Sequence, residues 1–390
     1  MVNTGFLFWA AQIMKKHKEI LQQLLGEAEV AIDGHSPHDI RVRDPQVYDR
    51  VLAKWSLGLG EAFMDGQWEC ERLDEMLYRL MRAGLDHKVR GWGRLRLAFA
   101  SLKARLVNLQ SRRRAFQVGE QHYDIGNDVF EAMLDQQMIY SCAYWQHAKT
   151  LDEAQQHKLE MICRKLELKP GERLLEIGCG WGGLAAHAAR HHGVEVVGIT
   201  VSREQQKLAQ ETCRGLPVEI QLIDYRDLEG KFDKAVSVGM FEHVGYKNYR
   251  DYFKTVHRLL ADDGLFLLHT IGNRVTSRKT DPWINKYIFP NGKIPSAKDI
   301  AETLEELFII EDWHNFGQDY DRTLMAWHDN FEAAWPKLSE KYDERFRRMW
   351  LFYLSSSAGY FRSRQGQLWQ IVLSKQARQE TYRSWRATSA

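Results

Sequence analysis

A chain of 390 residues, 44% of them apolar, has room for two or three domains, each with a core of its own. Its 54 basic and 52 acidic residues leave a net charge of +2, so no global field calls for nucleic acid, which is not expected as a partner. Five cysteines (Cys70, Cys142, Cys163, Cys179 and Cys213) are odd in number and lack paired metal spacing, which excludes a disulfide scaffold, predicts no metal site and indicates a reducing, cytoplasmic setting.

The apolar run from Gly5 to Ala11 is too short to span a bilayer and has no basic residues before it, so neither a transmembrane helix nor a secretory signal fits it. Residues 1–85 read as a small mixed module. It has an apolar run at Val30 to Ile32, a turn at Asp33-Gly34, alternation from Asp39 to Arg43, then helical patterns through Tyr78 and Met81. No chemistry is visible there.

Residues 86–116 form a basic helical linker. Between Asp86 and Arg114 nine basic residues face a single acid, a net charge of +8 over 29 residues. Leu95, Phe99, Leu102, Leu106 and Leu109 recur at steps of three and four, which predicts a helix with one apolar stripe and basic flanks. Two readings fit it: a solvated helix docked on its neighbours, or contact with an anionic surface.

Residues 117–390 carry the catalytic expectation. After Arg173 strands are predicted near Leu174 to Ile177, Val194 to Thr200, Glu219 to Ile223, Lys234 to Val238, Leu265 to His269, Phe308 to Trp313 and Gln367 to Leu373, with helical patterns between most of them. Such alternation means an α/β fold with a mostly parallel sheet covered on both faces, whose ligands bind at the carboxyl ends of the strands.

Glu176-Ile177-Gly178-Cys179-Gly180-Trp181-Gly182-Gly183 follows the first of these strands and opens a helix. A dinucleotide site wants an acid at the end of the second strand to hold a ribose diol. That strand ends Gly198-Ile199-Thr200-Val201-Ser202, without an acid, and the acid stands instead at Glu176, before the glycines. This order suits the amino-acid portion and sulfonium charge of S-adenosylmethionine better than a pyrophosphate.

Five segments together resemble the cyclopropane-fatty-acyl-phospholipid synthases and the related mycolic acid cyclopropane synthases. They are Tyr123-Asp124-Ile125-Gly126-Asn127-Asp128, Tyr140-Ser141-Cys142-Ala143-Tyr144, the glycine turn, Thr200-Val201-Ser202-Arg203-Glu204-Gln205, and Gly239-Met240-Phe241-Glu242-His243-Val244-Gly245. Leu57-Gly58-Leu59-Gly60-Glu61-Ala62-Phe63-Met64-Asp65-Gly66 further resembles the N-terminal module of the bacterial phospholipid enzymes, which the mycolic acid branch lacks.

The resemblance implies a class I, Rossmann-like S-adenosylmethionine-dependent methyltransferase sheet. It implies methyl transfer to the cis double bond of a phospholipid acyl chain, then proton loss to bicarbonate and ring closure. Rival readings are a lipid methyltransferase without ring closure and a small-amine methyltransferase. The implied bicarbonate holders are Cys142, Glu242, His269, the backbone of Ile271, and Tyr320, with Glu242 sharing a proton with the anion or orienting His269. Singly, each has a plainer reading as a buried, capping or packing residue.

The expected S-adenosylmethionine pocket joins Tyr140 and Ser141 to Glu176, Gly178, Cys179, Gly180 and Gly182, then Thr200, Ser202 and Gln205, with Asp224, Tyr225 and Arg226 at the adenine side. Family members commonly show a cysteine where Ser357 stands here, which argues against a covalent cysteine mechanism. A homodimer at the inner face of an anionic membrane is the expected setting.

Overall fold

The computed structural model describes residues 4–85 and 126–386, with side chains from residue 15 onward. The basic segment 86–114 and the Tyr123-Asp124-Ile125 part of the resemblance lie outside the described residues. The chain divides into two compact units. Among the described residues, the first draws on 4–85 together with 281–290 and 332–365; the second contains 126–280, 291–331 and 366–386. The two inserted segments had been assigned by sequence to the catalytic part, and by compactness they go with the N-terminal module.

In the first unit a two-residue pairing of β1 (Arg41–Val42) with β2 (Trp68–Glu69) is surrounded by helices α1 (Thr4–Gly26), α2 (Gln46–Lys54), α3 (Ser56–Met64) and α4 (Leu73–Arg82). The glycines of the Leu57–Gly66 segment permit close helix packing. A Cβ on Gly58 would lie 2.2 Å from the Arg50 carbonyl oxygen, and one on Gly60 would lie 2.4 Å from the Trp283 ring. Glu61 beside them receives Lys286 at 2.6 Å and Tyr287 at 3.0 Å; although burial opposes it, these partners bring its carboxyl down to about 2.

The second unit is a seven-stranded sheet. Its strands are β3 (Arg173–Ile177), β4 (Glu195–Thr200), β5 (Val218–Leu222), β6 (Phe232–Val238), β7 (Leu260–Asn273), β8 (Ile309–Asn315) and β9 (Gly366–Ser374), in the spatial order β5-β4-β3-β6-β7-β9-β8. The first five are parallel, and β9 runs antiparallel between β7 and β8. Strand order reverses beside β3, which places a crevice at the carboxyl ends of β3, β4 and β6.

Helices α5 (Asn127–Met133), α6 (Leu151–Lys165), α7 (Gly183–His192), α8 (Arg203–Thr212) and α9 (Tyr249–Leu259) belong to this unit. Thr150 and Glu153 form a reciprocal capping box that starts α6, and Ser202 caps α8. Apolar side chains of α6 and α7 fill one face of the sheet, and those of α9 fill the other. The segments α10 (Pro282–Tyr287), α11 (Ala297–Leu304), α12 (Gln318–Leu338) and α13 (Glu344–Arg362) complete the chain, with α12 passing from the second unit into the first.

Candidate active site

After β3 the backbone turns through Gly178, Gly180 and Gly182 at φ of +83°, +55° and +86°, a region that side chains rarely adopt. The N–H groups of Gly178 and Cys179 both donate to the Ile199 carbonyl at 3.0 Å, which ties the turn to the end of β4. A Cβ on Gly178 would press on Met240 at 2.9 Å and one on Gly182 would meet Cys213 Sγ at 3.0 Å, whereas one on Gly180 meets nothing within 4 Å. Room for a ligand is therefore at Gly180. The Cys179 thiol points into the core, and burial pushes it well above its ordinary range, so it is an inert packing group.

Glu176 is 3% exposed, its Oε2 has no hydrogen-bond partner, and burial pushes its carboxyl up to about 8. A buried carboxyl with an unused oxygen beside an open glycine is a place for a cationic or hydrogen-bonding ligand group. Thr200, Ser202 and Gln205 satisfy one another: Thr200 Oγ1 donates to Gln205 Oε1 at 2.9 Å and accepts from Ser202 N at 3.1 Å. Asp224 is clasped by Arg226 Nε and Nη2 at 2.7 and 2.6 Å. The Tyr225 ring packs into the core 5.1 Å from Tyr252, under the Arg226 guanidinium.

The Tyr140–Tyr144 segment is held from two helices. Gln155 Nε2 of α6 donates to the Ser141 carbonyl at 2.9 Å, and Lys158 Nζ donates to Ser141 Oγ at 2.9 Å. From α12, Thr323 Oγ1 receives Ala143 N at 3.1 Å and Trp145 Nε1 at 2.9 Å, while Asp319 receives Trp145 N at 2.8 Å. Lys158 is a residue that sequence reasoning missed. It is 1% exposed, burial brings its ammonium down to about 8, and its charge acts on Asp135, Cys142 and Glu176. A signal for it existed: Leu151, Ala154, Lys158 and Met161 recur at steps of three and four, so a lysine stands on a buried stripe whose other residues are apolar.

The five implied anion holders are brought together. Glu242 Oε1 accepts from Ile271 N at 2.7 Å. Ile271, Cys142 and Tyr320 share one cluster with Phe316, whose ring lies 5.9 Å from that of His269. Two details differ from the implied arrangement. The Ile271 N–H is already spent on Glu242, and its carbonyl receives Thr270 Oγ1 at 3.2 Å. Gln370, not Glu242, orients His269, because β9 pairs antiparallel with β7 and sets the two residues directly opposite.

Gln370 lies 3.3 Å from His269 Nδ1, and Nε2 is buried without a partner; with the amide nitrogen facing Nδ1, the ring proton is assigned to Nε2. Burial holds this ring neutral, well below the ordinary histidine range. Glu242 Oε2 is likewise buried and unpartnered, and burial pushes that carboxyl up to about 7. Cys142 Sγ donates to the Ala143 carbonyl at 3.2 Å, and burial keeps it a thiol. A run of aromatic rings links the glycine turn to this cluster. Trp181 lies 5.1 Å from Phe130, Phe130 lies 5.1 Å from Tyr140, Tyr140 lies 5.3 Å from Trp327, and Trp327 lies 6.1 Å from Tyr320.

Residues 110–371 match the family model of mycolic acid cyclopropane synthetase. The chain belongs to that family. It is 57% identical over 356 residues to the cyclopropane-fatty-acyl-phospholipid synthase of Escherichia coli K12, covering 91% of this chain and 93% of that one. Among solved structures, the cyclopropane synthase MmaA2 of Mycobacterium tuberculosis superposes with a TM-score of 0.64 at 30% identity, covering 67% of this chain and 98% of that one. The mycolic acid cyclopropane synthase CmaA1, in a complex with S-adenosylhomocysteine and CTAB, gives a TM-score of 0.62 at 31% identity over the same shares.

As a member of the cyclopropane synthase family, the chain is an S-adenosylmethionine-dependent methyltransferase with the class I sheet. Its residues fit that donor: Gly180 leaves space, the three left-handed glycines bring backbone to it, and Glu176 keeps an oxygen unused. No helix among the described residues is long and apolar enough to cross a membrane.

Proposed function

We propose that the protein converts the cis double bond of an unsaturated phospholipid acyl chain into a cyclopropane ring, with the second unit, which takes in most of residues 117–390, supplying the catalytic part. The observation that carries this reading is the pairing of two unsatisfied buried polar atoms, Glu242 Oε2 and His269 Nε2, with a chain of aromatic rings running to the glycine turn. An amine acceptor would spend such a base on its own N–H proton, whereas an alkene has none to give, so here the buried acid and imidazole serve the proton lost from the new methyl group after transfer.

Bound S-adenosylmethionine supplies an electrophilic methyl group, and bicarbonate supplies a base small enough to reach an apolar channel. Tyr140, Ser141, Glu176, Gly178, Gly180, Gly182 and the Thr200–Gln205 cap hold the donor, with Asp224 and Arg226 beside the adenine. An alkene is a weak nucleophile with no proton to remove beforehand, so positioning in a dry site comes first. The faces of Tyr140, Trp327 and Tyr320 stabilise positive charge on the acyl chain without capturing it. His269 offers its Nε2–H to the anion, Glu242 holds or shares a proton beside it, and Cys142 and Tyr320 close the wall. Lys158 positions Ser141 and favours the ionised form of Glu176.

Phospholipid reaches the site from a membrane surface, and the basic segment 86–114 serves that contact in a homodimer, each outward lysine or arginine contributing about 1 kcal/mol on anionic lipid. Mass spectrometry of membrane lipids from cells expressing the protein tests the reading. Unsaturated chains should gain one CH₂ and lose their double bond. A gain on amines, or on lipid with the double bond kept, would replace it with one of the two rival methyltransferase readings.

A further inference from the structure

Between α6 and α7, among residues not assigned to the donor or the anion, a second set of donor atoms converges. Cys163 near the end of α6 and His187 and His192 of α7 place one ligand atom each within 4.8 Å of one another. A fourth donor comes from Glu160, one turn before Cys163. Its Oε2 lies 3.0 Å from His192 Nε2 and 3.6 Å from His187 Nε2, while Arg164 Nε occupies Oε1 at 2.6 Å.

We propose that Cys163, His187, His192 and Glu160 form a zinc-binding site that clamps α6 to α7. The donor set has the chemistry of tetrahedral zinc: one thiolate, two imidazoles and one carboxylate oxygen. His187 is 2% exposed, and its Nε2 is buried with no hydrogen-bond partner, an unused lone-pair position aimed into the cluster. An outer partner is also in place, since Gln156 lies 3.4 Å from His187 Nδ1 and is itself held by Gln137 at 2.9 Å. Turning the Gln156 and Gln137 amides end for end together keeps the bond between them and makes the Gln156 oxygen the acceptor for Nδ1–H, the tautomer that leaves Nε2 free to ligate. The His192 side chain, 17% exposed, gives the ion a way in. Cys163 loses one proton to solvent as its sulfur bonds the metal.

The clamp has a purpose in the architecture. α6 carries Gln155 and Lys158, which hold Ser141, and α7 begins where the glycine turn ends. Fixing these two helices to each other fixes both walls of the donor pocket. Spacing rules do not reveal the site, because its ligands come in pairs from two helices and no Cys-x-x-Cys motif is involved.

The test uses untagged full-length protein stripped with a chelator and titrated with cobalt(II), then with zinc(II) as competitor. The expected result is one equivalent bound, a sulfur-to-cobalt charge-transfer band with tetrahedral d–d absorption, displacement of both by zinc, and a zinc-dependent rise in melting temperature. Cys163→Ser should remove the charge-transfer band, and His192→Gln, at the partly exposed position, should weaken zinc at least tenfold while leaving the circular dichroism unchanged. Failure of the wild-type protein to develop the band, or zinc affinity unchanged in both folded variants, overturns the proposal.

Discussion

Replacing Glu242 by glutamine should inactivate the enzyme and stabilise it. Glu242 Oε1 accepts from Ile271 N, a bond that a glutamine oxygen keeps, and its buried Oε2 has no partner to lose. Burial raises the carboxyl from an ordinary value of 4.5 to about 7. A carboxyl raised in the folded state costs stability once the unfolded chain ionises, and the cost grows as pH climbs from 4.5 towards 7. At about 1.4 kcal/mol per pH unit between the two values, the wild type forfeits about 3 kcal/mol at pH 8 and under about 1 kcal/mol at pH 5. Glu242→Gln escapes that cost, so its urea midpoint should exceed the wild type at pH 8 and approach it at pH 5. Turnover should fall by a factor on the order of 10² or more, the usual worth of a positioned acid or base. A variant less stable than wild type at pH 8, or one that turns over normally, would refute the reasoning.

Gly180→Val should leave the fold intact at a cost of about 1–2 kcal/mol for its left-handed backbone, yet abolish S-adenosylmethionine binding measured by calorimetry; unchanged affinity would remove the turn from the donor pocket. Lys158→Met removes the donor to Ser141 Oγ and a charge that favours ionised Glu176, so S-adenosylmethionine should bind about tenfold more weakly, one lost charge-assisted hydrogen bond, and retained affinity would make Lys158 a packing residue. Rigorous depletion of dissolved carbonate should slow turnover without changing donor affinity, and an indifferent rate would make His269 the first candidate for the base. Charge reversal at Arg112, Arg113 and Arg114 should reduce sedimentation with anionic vesicles at low salt; an unchanged bound fraction would separate this segment from the membrane.

The sheet was legible because most strands contain a short apolar run followed by a turn or helix signal, as at Leu174 to Ile177 and Val194 to Thr200. The direction of β9 was not, since nothing local in Gln367–Leu373 says that it inserts between β7 and β8. That direction is what brings Gln370 to His269, so this partner could not be read from spacing. Glycines and the Tyr140–Tyr144 segment marked out the pocket proposed for the donor. Lys158 hid inside an otherwise apolar helix stripe, where its meaning depends on Ser141, 17 residues earlier, being folded against it. Asp224 was legible as a strand-end acid, but its pairing with Arg226 and the inward turn of Tyr225 follow from a tight helical turn that composition does not specify. The segments 281–290 and 332–365 joined the N-terminal unit through contacts such as Trp283 on Gly60, which are long-range and leave no local trace.

The most direct test of the central claim supplies purified enzyme with unsaturated phospholipid vesicles and S-adenosylmethionine bearing a trideuterated methyl group. Ring closure requires one deuteron to leave the new methyl, so the product should carry a CD₂ bridge, no double bond and, in proton NMR spectra, the upfield signals of the two ring methine protons alone. A product that retains all three deuterons as CD₃ would show transfer without ring closure and contradict the account.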